Sequence, residues 1–80
     1  MDSTTAIKRM MEREGATPYR VAMDMHRAHS YVSGMIRRGS DPSTAVMADI
    51  AQACGYTLQL VGHGETLALD GTRPETKAEG

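Results

Sequence analysis

The sequence has no Phe and no Trp, three Tyr as its only aromatics, three Pro and a single Cys in 80 residues. Without large rings, a core must be assembled from aliphatic side chains and from the seven Met, which fill irregular space but pack loosely. One cysteine excludes an internal disulfide, and no grouping of Cys and His has the spacing of zinc ligands, so Cys54 reads as a small buried hydrophobe. No apolar run approaches the roughly 20 residues that span a bilayer. Met1-Asp2-Ser3 also lacks the basic start and apolar stretch of a leader, so the expected compartment is the cytoplasm. Catalytic constellations are missing as well. There is no paired carboxylate in a plausible pocket, no nucleophile elbow and no Gly-rich phosphate loop, and His63 stands between two glycines in an expected tight turn. Neither an enzyme nor a cofactor is expected. A chain this short forms one domain, near the size at which association often supplies missing stability.

What is present is unevenly distributed. The total charge of −1 conceals seven Lys or Arg against four acids in residues 1 to 40, and two against six in residues 41 to 80. Such polarity lets one side approach a polyanion while the other is repelled. Solvated helix charges would produce the same imbalance, so its weight depends on where the basic residues sit.

Periodicity predicts four helices. Ser3 or Thr4 can cap the first, which carries Ala6, Ile7, Met10 and Met11 on one stripe and stops at Gly15. Thr17 caps the second, with Pro18 at the first helical position, where a missing N–H has no partner to lose. Val21, Ala22 and Met25 form its apolar stripe, with Arg20 and Asp24 off it. In the third, from about Ala28 to Arg38, the stripe is Val32, Met35 and Ile36, and the opposite face carries His29, Ser30, Ser33 and Arg37. The turn from Met25 to Ala28 leaves about three residues, which forces a steep crossing with Ala22 at the contact. Ser43 opens a fourth helix in which Val46, Met47, Ile50 and Cys54 recur before Gly55.

From Ser3 to Tyr56 these residues resemble the lambda-repressor-like, or XRE-type, helix-turn-helix regulators. The matching features are Thr17, the small Ala22, Val32 and Met35 on the buried side, and Arg37. To these add Asp41-Pro42-Ser43 leading into the fourth helix and Asp49-Ile50-Ala51-Gln52-Ala53-Cys54-Gly55 leaving it. The chain departs from the family in the turn, where His26 replaces the usual Gly, Arg27 an apolar residue, and Ala28 a Ser or Thr cap. A His can adopt the left-handed backbone that such a Gly provides. The resemblance implies a compact four-helix bundle with its third helix in the major groove of double-stranded DNA. Ala28, His29, Ser30, Ser33 and Gly34 would face base edges, and Thr17, Arg20, Arg27, Tyr31, Arg37 and Arg38 would face phosphates. Tyr31 could equally close the core. His26 and His29 read most simply as two surface imidazoles. A small dimeric repressor of phage or mobile-element type is the implied function. The alternative is an antitoxin or phage-encoded inhibitor that keeps the fold and binds a protein instead.

Residues 57 to 70 differ in kind. Thr57 to Val61 and Glu65 to Leu69 are β-like runs, and a His63-Gly64 loop would set Leu60 opposite Leu67 and Leu58 opposite Leu69. An isolated two-stranded hairpin is marginal in water, so this one must dock on the helices, pair with another chain, or both. Pairing two hairpins about a two-fold axis would make Leu58, Leu60, Leu67 and Leu69 a dimerisation element and put two recognition helices on one side. The alternative is a hairpin that merely caps its own core. Residues 71 to 80, with no apolar side chain larger than Ala, are expected to be disordered. The fold expected is therefore mainly α: a helical domain over residues 1 to 56, a β-hairpin over 57 to 70, and a tail.

Overall fold

Local capping chemistry sets most of the element boundaries in the computed structural model, which describes residues 1 to 71. Four helices run Ser3–Glu14 (α1), Pro18–Asp24 (α2), Tyr31–Arg38 (α3) and Thr44–Ala53 (α4), followed by strands Leu58–Gly62 (β1) and Glu65–Leu69 (β2). The Thr17 hydroxyl accepts from the Arg20 N–H, and that of Ser43 accepts from the Val46 N–H, so α2 and α4 begin where their caps predict. The start of α1 differs from expectation. Its cap is Asp2, not Ser3 or Thr4, with the carboxylate accepting from the Thr5 N–H at 2.9 Å. Hydrogen bonding with Thr5, through its side chain first and this backbone N–H second, holds the Asp2 carboxyl below its ordinary value.

The core is aliphatic, as a chain without Phe and Trp requires. Ile7, Met10 and Met11 of α1, Val21 and Ala22 of α2, Val32 and Met35 of α3, and Ile50, Ala51 and Cys54 form one buried cluster. Tyr31, Ile36, Val46 and Met47 pack partly buried against it. Ile7, Val21, Val32 and Ile50 have no exposed surface at all. Ala22 lies fully buried on α2, which packs chiefly on α3, while α4 contacts α1, α2 and both strands. Burial and the neighbouring Glu14 carboxylate push the Cys54 thiol up, which keeps it a neutral packing group.

The strands form an antiparallel pair in the register read from the sequence, Leu58 opposite Leu69 and Leu60 opposite Leu67. His63 (φ 50°) and Gly64 (φ 73°) both take positive φ, the requirement of a two-residue turn whose twist matches the strands. The hairpin docks chiefly on α4. Leu58 and Leu69, nearest the helices, are half-buried, whereas Leu60 is 55% and Leu67 50% exposed. The hairpin therefore caps the helical core only at its base. The expectation of a disordered tail falls, from residue 72 onward, outside the described residues. None of the described helices is long and apolar enough to cross a membrane.

Candidate functional site

Between α2 and α3 the chain makes a longer connection than its hydrophobic pattern implies. Asp24 ends α2 and Tyr31 begins α3, so Met25 to Ser30 are all connection, and Ala28, His29 and Ser30 precede the helix. The cause is local. Ala28 has no side-chain oxygen to cap with, and Ser30 makes no side-chain cap bond. Instead the Tyr31 N–H donates to the Ala28 carbonyl at 3.0 Å and the Gly34 N–H to the Ser30 carbonyl at 2.8 Å, a tight turn running into the helix. His26, where the expected pattern has glycine, adopts φ 61°. The left-handed step is present although glycine is not.

With Val32, Met35 and Ile36 turned to the core, the opposite flank of α3 is Ser30, Gly34 and Arg37, with Ser33 and Arg38 at its margins. Ala28, His29, Ser30, Arg37 and Arg38 are exposed, and Ser33 is half-buried with its hydroxyl donating back to the Ser30 carbonyl at 3.3 Å. Gly34 departs from expectation. It is buried, because the side chains of Arg38 and Arg37 converge over it. An open groove of about 570 Å³ runs between the start of α2, at Thr17, Pro18 and Tyr19, and the Ala28–Ser30 turn with Ser33. The exposed Tyr19 ring meets that of His29, centroids 5.2 Å apart and planes tilted by 54°. Sequence reasoning passed over Tyr19. Its signal was an aromatic residue off the Val21, Ala22, Met25 stripe, one position after Pro18.

The basic residues fall into two groups. Arg20 is matched internally, with Nη2 3.7 Å from Glu14 and Nε 3.6 Å from Asp24, so its charge is shared with two carboxylates. Arg27, Arg37 and Arg38 have no carboxylate in ion-pair contact among the described residues. The Arg27 guanidinium sits 4.8 Å over the Tyr31 ring, a cation–π contact. Tyr31 is half-buried against the core, so it closes the interior and steadies Arg27 at once. No group of three or more His, Cys, Asp or Glu among the described residues is placed to hold a metal ion. Compared with known proteins, the chain matches no family model, no curated protein and no solved structure.

Proposed function

We propose that this chain is a small dimeric regulator, a repressor of phage or mobile-element type, that binds double-stranded DNA in a sequence-specific manner. In this reading α2, the turn and α3 act as a helix-turn-helix, and α3 enters the major groove. One observation carries it: the outward flank of α3 is polar, uncovered by the described interior and bordered by guanidinium groups without acidic partners among the described residues. An α-helix with its side chains is about 10 to 12 Å across, which fits the roughly 12 Å width of the major groove. His29, Ser30 and Ser33 are the candidates for base edges, and Arg27 and Arg37 for phosphates. Arg20 is a weaker candidate, since Glu14 and Asp24 would compete with any phosphate.

Dimerisation through the hairpin completes the reading. Leu60 and Leu67 form an exposed apolar pair on a sheet whose two edges are open among the described residues, and a second copy would cover them about a two-fold axis. The decisive experiment is selection from a random duplex library followed by a salt titration of the selected sequence. A two-fold repeat with half-sites about one helical turn apart, bound more weakly as salt rises, is the expected result. Absence of any selected sequence together with a flat salt response removes the DNA reading. The exposure of Leu60, Val61 and Leu67 also favours a second reading, in which the hairpin grips another protein, as in an antitoxin or inhibitor. A specific protein complex that survives high salt, without DNA selection, would establish that alternative.

A further inference from the structure

At the centre of the outward flank of α3 there is no side chain, and two guanidinium groups occupy the space. A Cβ built on Gly34 would lie 3.0 Å from Arg38 Nη1 and 4.0 Å from Arg37 Nη2. The Arg38 head is thus laid back along its own helix onto Gly34, one turn before it, and Nε donates to the Ser40 hydroxyl at 3.4 Å. Glycine weakens a helix interior relative to alanine. Here it stands where a side chain would press on that head.

We propose that Arg38, seated on Gly34 and steadied by Ser40, is a specificity-determining residue that reads a guanine in the major groove, not a phosphate contact. The inference rests on the DNA-binding reading above and adds to it the base and the reader. With Nε directed to Ser40, the two Nη groups remain as a planar fork, which matches the paired acceptors O6 and N7 that guanine alone presents in that groove. No carboxylate competes for the fork among the described residues. Although Arg38 itself stands at the margin of the flank, its head lies over Gly34 near the middle, which aims the fork at base edges, whereas a phosphate contact belongs at the rim. Arg37 has no hydrogen-bond or ion-pair tether among the described residues and keeps the phosphate role. Lysine cannot substitute, because an ammonium is a point charge without the fork.

The test is a cycle of protein variants against base-pair changes, using the full chain and the duplex it selects. Wild type selects an invariant G·C pair in each half-site, and replacing that pair by A·T costs about tenfold in affinity. For Arg38→Lys the same replacement costs little, so protein and base changes are coupled by about tenfold. Gly34→Ala relaxes the same position, with a melting temperature no lower than wild type, which excludes misfolding as the cause. Placing 7-deazaguanine, which lacks the N7 acceptor, at that position weakens wild type and leaves Arg38→Lys nearly indifferent. If Arg38→Lys keeps full preference for G·C at every position of a duplex that wild type selects, the guanine assignment is wrong and the DNA reading stands. If wild type selects no sequence at all, both fall together.

Discussion

The helical domain and the hairpin use the same kinds of aliphatic side chain for opposite ends. In the helices, Ile7, Val21, Val32 and Ile50 are fully buried and the cluster around them spans all four elements. In the hairpin no residue is buried. Only Leu58 and Leu69, at the helix end, are half-covered, while Leu60, Val61 and Leu67 face outward. The difference teaches that the buried core is helical, and that the hairpin tip leaves apolar surface exposed, as the proposed association requires.

The sharpest way to break that contrast is to truncate one residue in each region. Ile50→Ala should destabilise the fold by about 2 to 5 kcal/mol, whereas Leu60→Ala at low protein concentration should cost under about 1 kcal/mol. Urea unfolding followed by circular dichroism measures both, and equal losses would mean that the hairpin belongs to the folding core.

Next in size is the effect on association. Leu60→Glu combined with Leu67→Glu should convert a dimer to a monomer in sedimentation while leaving helix content unchanged, and should weaken binding to a two-fold duplex far more than to a single half-site. A double variant that stays dimeric places the interface elsewhere. Smaller again is Arg37→Ala, expected to weaken binding to all duplexes alike and to reduce the salt slope by about one. A loss confined to one sequence would contradict the phosphate role proposed for it.

The smallest effect concerns the first helix. Because hydrogen bonding with Thr5 lowers the Asp2 pKa, the ionised cap favours the folded state above the ordinary carboxyl value of 3.8, and this contribution fades as pH falls through the lower folded value. Asp2→Ala should therefore lower the melting temperature slightly near neutral pH, and the difference from wild type should shrink in acid. A gap that persists at the lowest pH would point to a cause other than the charged cap.

Much of the framework was legible because it depends on neighbours within four residues. Thr17-Pro18, Ser43, Gly15 and the His63-Gly64 turn sit where capping and turn rules put them. The strand register followed from a period of two combined with the loop length. The cap at Asp2 was missed because several adjacent polar residues could serve, and only backbone geometry selects among them. The start of α3 was missed because a hydrophobic stripe marks a face, not an end, and Ala28 carries no oxygen with which to close one.

The candidate site was legible in its residue types and not in its arrangement. Arg20 and Arg38 look equivalent in a sequence, yet one is held by Glu14 from another helix and the other is folded back over Gly34. Sequence alone determined the number of helices, most of their caps, the aliphatic character of the core and the pairing of the hairpin, since each follows from short-range stereochemistry and periodic burial. Tertiary structure decided which cations are neutralised, how far the leucines are covered and which groups crowd the middle of α3. Those outcomes depend on distances between segments remote along the chain, or on side-chain conformations that no spacing rule encodes.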